Sequence, residues 1–269
     1  MEKMISFLGP KGTFSHEAAS LLGDNLVPYC TIPAVMSSVD SDQCIKCIVP
    51  IENSIEGPVG ITLDSLAHDF DLNIVGEIII PIYQNLIVNP GTELEDITDV
   101  YSHQQAISQC HSFIEKNNIQ PHYAVSTASA AKSIIGDKSK AAIGHVKSAE
   151  LYGLDVLLKN IQDADNNETR FVVLSKEDTN PTDNDKTSII FSIYEDHPGS
   201  LYKILGIFNE YGINLTKIES RPSKQGLGKY LFFVDFYGHY KEDLIKKIIM
   251  EIDDKTYFLK VLGSYPEFK

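Results

Sequence analysis

Thr169-Arg170-Phe171 sets a hydroxyl, a guanidinium and an aromatic ring side by side at the head of the apolar run Phe171 to Leu174. A guanidinium suits a carboxylate, through forked, charge-assisted hydrogen bonds. Four other short segments bring polar groups to points where a strand-like run gives way to a helix-like one: Lys11-Gly12-Thr13-Phe14-Ser15, Glu52-Asn53-Ser54, Ser102-His103 and Ser126-Thr127. A helix start carries unpaired N–H groups and partial positive charge. In a parallel sheet such starts gather at the carboxyl ends of the strands, where ligands bind. Ser and Thr are also the preferred N-caps, so any one of these segments alone reads as a cap. Together with Arg170 they point to a substrate that carries carboxylates, without naming a reaction.

Other familiar chemistry is missing from the sequence. There is no G-x-x-x-x-G-K-[ST] phosphate loop, no G-x-S-x-G elbow and no H-E-x-x-H, and Gly9-Pro10-Lys11-Gly12 does not match G-x-G-x-x-G. Cys44 and Cys47 have C-x-x-C spacing, but no second ligand pair follows at zinc-like spacing, and Cys47 reads as a small residue opening the strand Cys47 to Ile51. His103 and His111 read as capping or surface groups. No metal and no organic cofactor is expected.

The elements that must hold these residues follow from hydrophobic period. In the front part, Met4 to Leu8, Cys47 to Ile51 and Asp99 to Tyr101 read as strands. Helices follow from about Thr13, through Ile61, Leu63 and Leu66, and through Ala106, Ile107, Cys110, Phe113 and Ile114; Ala124-Val125 leads into an alanine-rich helix. That alternation predicts an α/β domain with a mainly parallel sheet. The polar stretch Lys176 to Lys186 reads as a linker. Behind it, strand Thr187–Tyr194, a helix opening near Pro198, strands Asn214–Ser220 and Tyr230–Phe236, a helix through Leu244 and Ile252, and strand Tyr257–Leu262 give βαββαβ, the ferredoxin-like order.

Composition narrows the function classes. The 269 residues allow about two domains. A formal charge of −14 argues against a general nucleic-acid binder, while leaving room for a locally positive anion site. No run approaches a membrane span. The start Met1-Glu2-Lys3-Met4 lacks the pattern of a signal peptide, so a cytoplasmic protein is expected.

In order and spacing, Leu8-Gly9-Pro10-Lys11-Gly12-Thr13-Phe14-Ser15, Val49-Pro50-Ile51-Glu52-Asn53-Ser54, Tyr101-Ser102-His103, Ser126-Thr127-Ala128 and Thr169-Arg170-Phe171 resemble prephenate dehydratase. Gly199-Ser200-Leu201 and Asn214-Leu215-Thr216-Lys217-Ile218-Glu219-Ser220-Arg221-Pro222 resemble its regulatory ACT domain. The likeness spans nearly the whole chain. With no chorismate mutase segment ahead of it, it is to the single-activity form. It implies decarboxylating dehydration of prephenate to phenylpyruvate in phenylalanine synthesis. The implied fold is a two-lobed catalytic domain like type II periplasmic binding proteins, residues 1–178, with one lobe at about 1–80 plus a return segment 160–178 and the other at 81–159. A ferredoxin-like ACT domain at 187–269 would follow.

The resemblance further implies catalytic roles for Thr169, Glu52, Asn53 and Ser54, with Thr169 donating to the departing hydroxide and Glu52 as a rival acid. Substrate contacts would come from Thr13, Phe14, Ser15, Ser102, His103, Ser126, Thr127, Arg170 and Phe171, with Arg170 as the anion anchor and Phe171 packing. Phenylalanine would be sensed by Gly199, Ser200, Leu201, Asn214, Leu215, Glu219, Ser220, Arg221 and Pro222 at an interface between two ACT domains of a homodimer or homotetramer. The chain departs from the family pattern at Ser200, where alanine is more usual, and at Gln104, where proline is. Ser200 could change which amino acid is sensed. Arogenate dehydratase and a non-catalytic cytoplasmic solute-binding sensor are the competing readings.

Overall fold

The computed structural model describes residues 4–194 and 197–268; the Met1-Glu2-Lys3 start, Glu195, Asp196 and Lys269 lie outside it. The front of the chain forms β1 (Ile5–Leu8), α1 (Phe14–Ser20), β2 (Leu26–Tyr29), α2 (Ile32–Asp40), β3 (Lys46–Asn53), β4 (Gly57–Pro58), α3 (Gly60–His68) and β5 (Asn73–Pro81). The middle adds β6 (Asn85–Val88), β7 (Asp99–Ser102), α4 (Gln104–Gln109), α5 (His111–Lys116), β8 (Gln120–Tyr123), α6 (Thr127–Ser133), β9 (Lys140–Gly144), α7 (Val146–Tyr152) and β10 (Asp155–Leu158). Strand β11 (Glu168–Ser175) then leads to β12 (Asp185–Ile193), α8 (Ser200–Glu210), β13 (Leu215–Pro222), β14 (Tyr230–Tyr237), α9 (Asp243–Asp253) and β15 (Thr256–Pro266).

These strands make three sheets, ordered β2-β1-β3-β11-β5 with β4 on β3, β10-β6-β9-β7-β8, and β13-β14-β12-β15. The first two are the lobes of a periplasmic-binding-protein-like domain, and β11 returns from the second lobe into the first sheet. The expectation of a mainly parallel sheet needs correction. β11 runs antiparallel to both β3 and β5, and β6 runs antiparallel to both β9 and β10. These strands are apolar runs buried on both faces, and such runs do not encode direction. The long helix expected over Ala106–Ile114 is also two helices. It breaks at Cys110, where the Asp163 backbone N–H donates to Gln109 O (2.7 Å) and the Asp163 carboxylate accepts from Ser112 N (3.2 Å).

The third sheet is antiparallel and ferredoxin-like. One face carries α8 and α9 over a core of Ile189, Phe191, Val234 and Phe236. The other face has no core of its own. Ile190, Leu231, Phe233, Leu262 and Tyr265 pack with Val49, Leu63, Ile74 and Val172 of the first lobe into one cluster. The polar stretch after β11 therefore does not separate two independent cores.

Contact across this seam is close. A Cβ on Gly263 (φ +137°) would lie 2.3 Å from the Ile74 carbonyl oxygen, so only glycine fits there. Gly263→Ala is expected to cost about 2 kcal/mol or more, the scale of an overpacked core, read as a lower midpoint in thermal or denaturant unfolding; an unchanged midpoint would show that the seam yields freely.

Candidate active site

Between the two lobes lies a cavity of about 660 Å³. Of the segments singled out by sequence, Thr13, Phe14, Ser15, Asn53, His103, Ser126, Thr127, Thr169 and Phe171 line it. Three of these residues are N-caps aimed at it. Thr13 Oγ1 accepts from His16 N (3.3 Å), His103 Nδ1 from Gln105 N (3.4 Å) and Ser126 Oγ from Ser129 N (3.0 Å). Each satisfies one first-turn donor of α1, α4 or α6, and other N–H groups of those turns lack an intrahelical partner. None of the described lining residues is Lys, Arg, Asp or Glu. The cleft of this strongly acidic chain is thus uncharged apart from any charge on His103, with apolar walls at Leu8, Phe14, Ile82 and Phe171.

The centre of the site is a strand pair. Thr169 of β11 and Asn53 of β3 are register partners, just ahead of a bulge between Arg170 and Phe171, an irregularity common beside active sites. Asn53 Oδ1 accepts from two backbone donors, Ile55 N (3.0 Å) and Glu56 N (2.9 Å). Backbone N–H groups cannot invert, so they orient the amide, and its Nδ2 donates to Thr169 Oγ1 (2.9 Å). The Thr169 hydroxyl accepts there, which leaves its own proton for another acceptor in the cleft.

The same orientation passes down a chain of amides. Asn53 Nδ2 donates to Asn167 Oδ1 (2.7 Å), Asn167 Nδ2 to Gln109 Oε1 (3.0 Å), and Gln84 Nε2 to the same Gln109 oxygen (3.1 Å). Gln84, Gln105 and Gln109 line the cleft and were not singled out by sequence. Gln105 and Gln109 share a helix face four apart behind His103, a spacing that could have marked them.

Four sequence-based assignments are not met. Arg170 does not anchor an anion in the cleft. Strand alternation turns it to the back of the sheet, where Nε donates to Glu77 Oε2 (2.7 Å), Nη1 to Asp235 Oδ2 (2.6 Å) and Nη2 to Tyr265 OH (2.7 Å). Burial opposes its charge, but Tyr265, Asp235 and Glu77 outweigh burial and raise its pKa. Glu52, one residue from Asn53, also faces backwards and pairs with Lys217 Nζ (2.9 Å), so it is no acid in the cleft. Ser54 is exposed outside the cavity and donates to Asn166 O (2.9 Å). Ser102 is buried and donates to Ile143 O (2.6 Å), bracing the second sheet. Glu52-Asn53-Ser54 is not a helix start either, because β4 intervenes before α3.

In the third sheet, Gly199 (φ +87°) caps α8, Ser200 begins that helix and Leu201 packs on the domain core. Asn214 and Leu215 lie past the far end of α8, whose 11 residues span about 16 Å. Register splits the other motif. Glu219 and Arg221 oppose Phe233 and Leu231 on the face toward the first lobe, whereas Ser220 opposes Phe232 on the other face. Arg221 Nη2 donates to both oxygens of Asp64 on α3 (3.2 Å each), which takes it from a purely sensory role; Pro222 ends β13. A second cavity, at the seam of α3 with this sheet, is lined by Tyr194, Tyr230 and Phe258 but by none of the expected effector residues.

Comparison with known proteins assigns the family and the fold. The family model described as prephenate dehydratase matches residues 5–179, and that described as ACT domain matches residues 187–253. The chain belongs to the prephenate dehydratase family. It is 40% identical over 279 residues to the prephenate dehydratase of Methanocaldococcus jannaschii, covering 100% of both. It is 44% identical over 268 residues to the bifunctional chorismate mutase/prephenate dehydratase of Aquifex aeolicus, covering 98% of this chain and 73% of that one. The crystal structure of prephenate dehydratase from Arthrobacter aurescens in complex with L-Phe superposes with a TM-score of 0.89 at 33% identity, over 98% of this chain and 90% of that one. Among the described residues no helix is long and apolar enough to cross a membrane, and no group of three or more His, Cys, Asp or Glu is placed to hold a metal ion.

The lobes also meet beside the cleft. His145 Nδ1 accepts from Lys147 N (3.2 Å), so Nε2 carries the proton and faces Glu17 Oε2 at 2.8 Å. That hydrogen bond, against the opposing pull of burial, holds the Glu17 carboxyl below its ordinary 4.5. A depressed carboxyl stabilises the fold above its unfolded value and loses that contribution as pH falls through the folded one. Glu17→Gln is therefore expected to melt below the parent at neutral pH, with the gap closing as the pH falls below the ordinary 4.5; a pH-independent gap in melting temperature would contradict the linkage.

Proposed function

We propose that this cleft binds prephenate and expels its ring hydroxyl and ring carboxylate together, giving phenylpyruvate, carbon dioxide and water. The electron pair of the breaking C–CO₂ bond enters the ring and aromatises it, and the C–O bond to the hydroxyl breaks. The departing oxygen leaves as hydroxide unless it is offered a proton. The observation that carries the reading is the Thr169 hydroxyl, which accepts from an amide whose orientation two backbone N–H groups fix, and so presents its proton to the cleft. A threonine hydroxyl is a weak acid, so orientation and an apolar surround supply much of its effect. The substrate's two carboxylates meet the starts of α1, α4 and α6 and neutral side-chain amides, without a guanidinium. Thr169→Ala is expected to lower kcat about 10²–10³-fold, the scale of one lost preorganised donor, with little change in KM. Thr169→Ser keeps most of the rate. Assays on prephenate and arogenate measure both; parent-like turnover by the alanine variant would end this assignment, and faster turnover of arogenate would reassign the substrate.

Phenylalanine is the proposed effector of the third sheet, as the L-Phe complex of the Arthrobacter relative suggests. Gly199 and Asn214 sit at opposite ends of α8, so a single amino acid touching both requires two copies of the chain. The protein is therefore read as a homodimer or homotetramer, and its four free cysteines suit a reducing cytoplasm. Added phenylalanine is expected to change the dependence of rate on prephenate; an unaltered saturation curve would remove phenylalanine as the effector.

A further inference from the structure

Two of the four residues that lie outside the cleft, Arg170 and Glu52, stand on one rung of the same ladder. Thr169 pairs with Asn53 and faces the cleft; the next pair, Arg170 with Glu52, faces the third sheet. Both members of that second rung are held from across the domain seam. Arg170 donates to Asp235 of β14 (2.6 Å) and Tyr265 of β15 (2.7 Å), and Glu52 is paired with Lys217 of β13 (2.9 Å). The Arg170 arm of the network is buried, with the Arg170 side chain 12% exposed and that of Glu77 0%, whereas Glu52 on the other arm is 37% exposed. Glu77 Oε1 also accepts from Lys186 Nζ (2.9 Å), and Tyr265 OH shares a hydrogen bond with Ser188 Oγ (2.8 Å). Three strands of the ACT sheet thus grip the two strands that carry Thr169 and Asn53, one residue away from each.

We propose that Arg170 and Glu52 are positioning residues, through which the C-terminal sheet sets the Thr169–Asn53 hydrogen bond and so the direction in which the Thr169 hydroxyl donates. A guanidinium fixed by three directional partners resists sliding and rotation of β11, which an apolar contact in the same place would not. A shift of β14 or β15 relative to the first lobe draws Arg170 with it, and the adjoining peptide carries that movement to Thr169. The inference rests on the reading of Thr169 as the donor.

Tyr265→Phe tests it, because the ring still fills the core while the acceptor for Arg170 Nη2 is removed. Measured well below the melting temperatures, the variant is expected to lose at least about fivefold in kcat with KM for prephenate within twofold. In the Thr169→Ala background the same change should alter kcat by less than twofold, since the hydroxyl it orients is gone; groups that act as a unit are non-additive. Lys217→Met, which releases Glu52, should repeat the pattern and serves if the first variant fails to fold. Equal losses in both backgrounds, or parent-like kcat in folded variants with Thr169 present, would overturn the proposal. If Thr169→Ala itself left kcat unchanged, the assignment of the donor would fall first, and that result is read separately from the single variants.

Discussion

A strand turns successive side chains to opposite faces, and the molecule depends on that constraint at one place. Where β3 and β11 pair, two adjacent rungs look in opposite directions: Asn53 and Thr169 into the cleft, Glu52 and Arg170 into the seam with the third sheet. The site hydroxyl and the contacts to the C-terminal sheet are neighbours along the chain while lying on opposite sides of a sheet. Movement of one rung without the other would require the strands to twist or slip, and β11 is hydrogen-bonded on both sides, by β3 and by β5.

The rest of the architecture keeps that strand pair in place. The C-terminal sheet shares one apolar cluster with the first lobe, and Gly263 lets β15 come within contact distance of β5. Buried charge at such a seam is costly unless fully partnered. Arg170, Lys186, Glu77, Asp235 and Tyr265 satisfy one another there. The arrangement tolerates little misplacement, because a shifted sheet would leave a buried cation or carboxylate without its partner. A seam of this kind defines relative position more narrowly than hydrophobic packing does.

The cleft follows a different electrostatic logic. Its described lining residues hold no formal cation, although the substrate proposed for it is a dianion. In the proposed function, helix-start N–H groups and side-chain amides, with Asn53 fixed by two backbone donors, would take the place of lysine or arginine. Such dipoles are already oriented before substrate arrives, which is the condition under which neutral groups stabilise charge effectively in a water-poor site. The chain from Asn53 through Asn167 to Gln109 and Gln84 runs from the first lobe to the second, so the amides are held in line by contacts from both lobes.

Hydrophobic period, caps and turn residues are local signals, so the sequence by itself determined part of the front elements and the ferredoxin-like order of the last third, and motif order and spacing determined the family; β2, α2, β4, β5, β6, β8, β9, α7 and β10 go unmarked in it. Thr13, His103 and Ser126 are legible as helix caps for the same reason. The tertiary structure alone decided strand direction within the lobes, since apolar runs buried on both faces carry no sign of polarity. It also decided which face each residue of Thr169-Arg170-Phe171 and Glu52-Asn53-Ser54 would show. A guanidinium and a carboxylate beside a hydroxyl read as a single cluster along the chain; only the pairing of β3 with β11, and the sheet packed behind them, separates the groups that face substrate from those that hold them in position.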